Sequence, residues 1–272
     1  MNKYLICVDS DGCAMDTMTI KHVKCFGPVL VDTWELNEWR SEILDRWNTI
    51  NLYSKFRGIN RFSGLAMMLK EINEKYHPIK DLETLVEWAE HTSAFSEESL
   101  LSEIEKHPES DSLQKALLWS RTVNSGIINI PESEKIAFPG VREALKAAKD
   151  ICSIAIVSSA NRKAMEEEWI RCGLMDYVDY SMAQDTGTKK MCIESMIKKG
   201  FDPDHILMIG DAVGDKNAAF GAGVMFFPIM AAHETESWKE FSDNVLQIFT
   251  EGKYGKELQK KYIDTFEKNL DN

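Results

Sequence analysis

Four short apolar runs, each bounded by turn residues or carboxylates, constrain this sequence more than any other feature. Residues 4–8 run into Asp9-Ser10-Asp11-Gly12, 151–157 into Ser158-Ser159, and 206–209 into Gly210-Asp211, while 224–229 follows Gly221 and Gly223. Runs this short and continuous read as strands buried on both faces. Helical patterns fill intervals between them at 141–150, 161–172 and 190–199. Strand alternating with helix specifies an α/β chain with a parallel sheet and helices on both faces. Reactive groups gather at the carboxyl ends of such strands, and Asp9, Ser158 and Asp211 all stand at such ends.

Residues 19–135 interrupt this pattern after its first strand. No buried strand is legible there, whereas Phe62, Leu65, Ala66, Met68, Leu69 and Ile72 recur at helical spacing, as do Leu82, Leu85, Val86 and Ala89. Trp34, Trp39, Trp47, Trp88 and Trp119 place five of the seven tryptophans in the segment, where they read as core packing. The expected organisation is an α/β core built from 1–18 and 136–272, with a helical domain inserted at 19–135. Gly27-Pro28, Pro131 and Pro139-Gly140 supply loop signals near the boundaries. The tail after about Ser237 reads as amphipathic helix, with Trp238, Phe241, Val245, Ile248 and Phe249 expected on the core.

Charge and cysteine content narrow the function. A net charge of −12 disfavours nucleic acid and anionic membrane as partners. A phosphorylated substrate would need local positive charge in its site. The six cysteines form no CxxC or other metal spacing, so reduced structural thiols in a cytoplasmic protein are expected. The apolar run at 4–8 is too short for a signal peptide, and no segment approaches a membrane span.

Asp9 and Asp11 are two residues apart at the end of an apolar run, so an extended backbone projects both to one side. One carboxylate can attack while the other moves a proton. Asp211 and Asp215 form a second pair after another strand, suited to a hard cation. Like charges 4 Å apart cost roughly 4 kcal/mol at an effective dielectric near 20, so four carboxylates at one site require a cation, and magnesium is the natural one. Ser158, Ser159 and Asn161 open a helix, which reads either as an ordinary cap or as an anion site. Lys189, with Lys190 adjacent, lies between the second and third site strands, where it could neutralise a nucleophile and a phosphate.

These segments together resemble the haloacid dehalogenase superfamily, over residues 1–18 and about 136–230. Asp9-Ser10-Asp11-Gly12 resembles its first motif, Ser158 its second, Lys189 its third, and Gly210-Asp211 with Asp215 its fourth. The resemblance implies a Rossmann-like core with an all-α cap and a phosphatase acting on a small phosphorylated metabolite. It further implies Asp9 as nucleophile, Asp11 as general acid and base, and Ser158 and Lys189 as phosphoryl-holding groups. Magnesium would be held by Asp9, the Asp11 backbone carbonyl, Asp211 and Asp215. Dehalogenation and phosphonate cleavage do not use an acid at the position of Asp11. A phosphomutase keeps both aspartates and stands as the alternative enzyme; a non-catalytic binding protein is the alternative outside enzymes.

One further stretch is anomalous in a chain with 44 acidic and 32 basic residues. No carboxylate lies between Asp45 and Glu71, while Arg46, Lys55, Arg57, Arg61 and Lys70 do. Lys55, Arg57 and Arg61 flank Gly58 between two helical patterns. They are expected in a cap loop facing the site and binding substrate, the alternative being a solvated basic loop.

Overall fold

The computed structural model describes residues 2–271. The chain divides into two units, one of Met1–Met18, Tyr53–Arg57 and Glu132–Asn272, the other of Thr19–Leu52 and Gly58–Pro131. Tyr53–Arg57, read from sequence as part of the inserted domain, thus groups with the α/β unit. The physical reason is Arg57, whose side chain is buried within that unit.

The α/β unit contains five strands: β1 Tyr4–Val8, β2 Cys152–Val157, β3 Tyr180–Met182, β4 Ile206–Gly210 and β5 Met225–Pro228. They form one sheet in the order β3-β2-β1-β4-β5, with every pairing parallel. Side chains alternate across a strand. Tyr4, Ile6 and Val8 of β1 therefore pack on one face with Ile154, Ile156, Leu207 and Ile209, while Leu5 and Cys7 pack on the other with Ala155, Val157, Ile206 and Met208. Both faces being buried explains the unbroken apolar runs. The first face is covered by the helices Val141–Lys149 and Arg162–Arg171, the second by Lys189–Lys198 and Val213–Ala222.

Strand β3 has no counterpart in the sequence reading. It is a three-residue edge strand with only Met182 buried, so it carries no apolar run. Ile151, read as strand, precedes β2 and is 45% exposed. The tail is two helical segments, 234–250 with a π turn at Phe241–Val245, then Lys256–Leu270. Trp238, Phe241, Val245 and Phe249 are buried on the first face, with Ile248 packed beside them. Ile263, Phe266 and Leu270, which the sequence reading of the tail did not single out, cover the second face.

The other unit is helical throughout its described residues, with no strand. Trp47 and Trp119 are fully buried, Trp34 and Trp88 nearly so, and Trp39 packs half-buried against Tyr76 and His77. Phe26, Phe62 and Trp88 extend the Trp47–Trp119 contact into an aromatic core.

Candidate active site

The sheet order itself assembles the site. β1 is central, and β2 and β4 are its two neighbours, so the residues following all three strands meet at one edge. Val8 is level with Ile156 on one side and Ile209 on the other. Asp9 continues the ladder by donating its N–H to the Ile209 carbonyl at 3.0 Å. Asp9, Ser158 and Asp211 are buried, at 4%, 3% and 1% exposure.

The turn after Asp9 is tightly closed. Ser10 O accepts from the amides of Cys13, Ala14 and Met15, and the Ser10 hydroxyl accepts from Trp169 Nε1 at 2.9 Å. Trp238 Nε1 donates to Cys13 O at 2.9 Å, so the tail braces the same turn. Gly12 has φ +82°, and a Cβ there would lie 2.6 Å from Asp211 Oδ2; only glycine meets both conditions. Asp11 is half-buried, and its Oδ1 accepts a hydrogen bond from the Thr17 hydroxyl. Sequence reasoning missed Thr17, because a threonine six residues past a carboxylate carries no signal until the turn is known.

Lys189 joins the two acidic pairs. Its Nζ lies 2.8 Å from Asp9 Oδ2 and 2.6 Å from Asp215 Oδ1, whereas Lys190 is half-exposed and faces Glu194 at 3.6 Å. The structure thereby distinguishes the two adjacent lysines. Asp215, fully buried, turns its other oxygen back to accept from Ala212 N at 3.1 Å. Burial works against the Lys189 charge, but Asp215 and Asp9 more than reverse this and hold the ammonium above its usual range. Asp9 goes the same way for a different reason. Burial pushes its carboxyl well above the usual range; Lys189 pulls it back, while Asp215 and Asp211 push it further up. Burial also raises Asp211, with Arg57 opposing and Asp215 adding to the rise.

The basic residues of 55–61 separate. Arg57 is buried, with Nε 2.7 Å from Asp211 Oδ2 and Nη2 3.1 Å from Gly12 O. Lys55 is exposed, lying over the Phe56 ring. Arg61 belongs to the helical unit, where it donates to Asn124 at 2.7 Å and lies over the Phe26 ring. Ser159 and Asn161 are exposed, and Asn161 caps its helix by accepting from Ala164 N, the first of the two readings its position allowed. The Ser158 hydroxyl accepts from Ala160 N at 3.2 Å.

One oxygen from each of Asp9, Asp211 and Asp215 lies within 4.8 Å of the others. When ionised, these three exceed Lys189 and Arg57 by one negative charge. Asp211 Oδ1 is buried with no hydrogen-bond partner among the described residues. A buried, partnerless carboxylate oxygen in an all-oxygen donor set fits a hard divalent cation such as magnesium.

A family model described as haloacid dehalogenase-like hydrolase matches residues 59–229, more than half of the chain and starting beyond the Asp9 turn. No curated protein matches the chain in sequence. Among solved structures, a candidate phosphoglycolate phosphatase from Lactobacillus delbrueckii subsp. bulgaricus is similar at TM-score 0.52 and 15% identity, over 96% of this chain and 99% of that one. A candidate HAD-hydrolase from Bacillus subtilis bound to magnesium gives TM-score 0.47 at 14% identity, over 84% and 87%. A haloacid dehalogenase-like family protein from Streptococcus pneumoniae gives 0.46 at 13%, over 87% and 90%. At its identity the first of these likenesses speaks to the fold alone.

Proposed function

We propose that this chain, which belongs to the haloacid dehalogenase-like hydrolase family, is a magnesium-dependent phosphohydrolase that forms an aspartyl-phosphate on Asp9. The observation that carries this reading is the pairing of Asp9 with Lys189 at the end of the central strand, with Asp11 two residues on and held by Thr17. A nucleophilic carboxylate, a second carboxylate for proton transfer and a buried cation form the minimum set for phosphoryl transfer through a covalent intermediate.

In the first step Asp9 attacks phosphorus, the bond to the leaving oxygen breaks, and Asp11 gives that oxygen its proton. In the second, Asp11 takes a proton from water as the water oxygen attacks phosphorus. The bond to Asp9 breaks with its electron pair returning to the carboxylate, and inorganic phosphate leaves. Lys189 and the Ser158 hydroxyl hold the phosphoryl oxygens. Thr17 orients Asp11 for both transfers. Magnesium held by Asp9, the Asp11 backbone carbonyl, Asp211 and Asp215 would supply the positive charge that keeps Asp9 ionised against its burial and offsets charge on the phosphoryl group.

Asp11 also favours phosphate chemistry over dehalogenation, which needs no acid there. The substrate class is a small phosphorylated metabolite, and the net charge of −12 argues against nucleic acid. All six cysteines are free and five are buried, which suits a reducing cytoplasm. Among the described residues no helix is long and apolar enough to cross a membrane. The test is hydrolysis of an aryl phosphate: turnover with magnesium, none in excess chelator and none by Asp9→Asn support the assignment. Activity that survives chelation or Asp9→Asn rejects it.

A further inference from the structure

Arg57 is a buried cation on a carboxylate assigned to another cation. It closes a tight turn in which Arg57 N donates to Ser54 O at 2.8 Å and Phe56 N to Ser54 Oγ at 3.1 Å. From there Nε reaches Asp211 Oδ2 at 2.7 Å, and both side chains are 1% exposed. Nη2 reaches Gly12 O at 3.1 Å and Glu234 Oε1 at 3.4 Å, the latter a longer contact to a side chain that is 11% exposed. The second oxygen of Asp211 is buried without a partner among the described residues. One carboxylate thus offers an oxygen held by a guanidinium and another that is unsatisfied.

We propose that Arg57 is a built-in competitor for the cation site: it holds Asp211 with a protein charge, and magnesium must draw Asp211 away from it. The inference rests on the metal assignment above. A guanidinium and a divalent ion on the two oxygens of one buried carboxylate repel each other, which weakens the hold of each on Asp211. The Gly12 turn packs directly against this pair, since a Cβ at Gly12 would lie 2.9 Å from Arg57 Nη2 and 2.6 Å from Asp211 Oδ2. Glu234, already within 3.4 Å and closer to solvent, is the acceptor toward which the guanidinium moves. Metal binding then exchanges one ion pair for another.

The test is magnesium binding to the full chain by titration calorimetry, with the magnesium-induced thermal shift as a second readout. Arg57→Ala is expected to bind magnesium about tenfold tighter than the wild type, with a larger thermal shift. Arg57→Lys, which cannot hold both Asp211 and Gly12 O with one compact ammonium, is expected to fall between and remains informative where the alanine variant does not fold. Glu234→Gln is expected to weaken magnesium binding in the wild type and to have less effect once Arg57 is Ala or Lys, because the coupling runs through the guanidinium. Unchanged or weaker binding by the Arg57 variants while the wild type binds magnesium overturns this inference alone. Absence of magnesium binding by the wild type and every variant removes the metal assignment and this inference with it.

Discussion

The ammonium of Lys189 lies 2.8 Å from Asp9 Oδ2, and the same nitrogen lies 2.6 Å from Asp215, so one cation ties the end of β1 to the helix that follows β4. Replacing Lys189 by Ala leaves two buried carboxylates without that partner. Breaking a buried pair costs about 3–5 kcal/mol, and the nucleophile loses its nearest positive charge. Lys189→Ala is therefore expected to lower denaturant stability by about that amount and turnover by at least about a hundredfold. Lys190→Ala should change both little. Equal effects from the two would undo the distinction between these neighbours.

Gly210 carries a sharper steric prediction. A Cβ there would lie 2.4 Å from Asp215 Cβ and Cγ, a backbone-anchored contact that cannot swing aside. Gly210→Ala should cost about 1–3 kcal/mol and disturb Asp215, seen as a smaller magnesium-induced thermal shift. Gly214→Ala, whose added Cβ meets nothing within 4 Å, is the control and should keep both.

Thr17 is fully buried and donates to Asp11. Thr17→Val keeps the volume and removes the donor, so stability should change by about 1 kcal/mol. Turnover should fall about tenfold if the hydroxyl positions the acid, since a tenfold rate change corresponds to roughly 1.4 kcal/mol. The loss should appear in kcat rather than in KM, and a variant with wild-type kcat would remove Thr17 from the mechanism.

Buried thiols are expected to weaken the fold at alkaline pH. Burial raises Cys152 from 9.0 to about 12, and burial likewise raises Cys7 and Tyr254. Below pH 9 the folded and unfolded thiols both keep their protons. Above it the unfolded chain releases them first, so stability falls as pH rises from about 9 toward 12, by roughly 1.4 kcal/mol per pH unit for each such group. Denaturation midpoints across this window should decline, and Cys152→Ala should make the decline shallower. A flat profile would contradict the burial argument.

How much of this was legible in the sequence differs between fold and site. β1, β2, β4 and β5 were readable because both faces of each are buried and their runs are unbroken. β3 was not, because an edge strand of three residues has no periodicity to read. Asp9, Asp11, Asp211 and Asp215 stood out because carboxylates ending apolar runs are expensive without a purpose. Arg57 was singled out by an absence of acidic neighbours in sequence, yet its partner Asp211 lies 154 residues away, a pairing that only the fold supplies. The same holds for Trp169 on Ser10 and for Trp238 on Cys13 O, the latter read from sequence only as core packing.

The central claim is that phosphate passes through Asp9. The direct measurement is intact mass and peptide mapping of the Asp11→Asn variant, quenched in acid after exposure to an activated aryl phosphate with magnesium. Without its base for hydrolysis, that variant should accumulate one phosphoryl group per chain, located on the peptide carrying Asp9, and Asp9→Asn should accumulate none. A phosphoryl group on any other residue, or wild-type turnover by Asp9→Asn, would contradict the account.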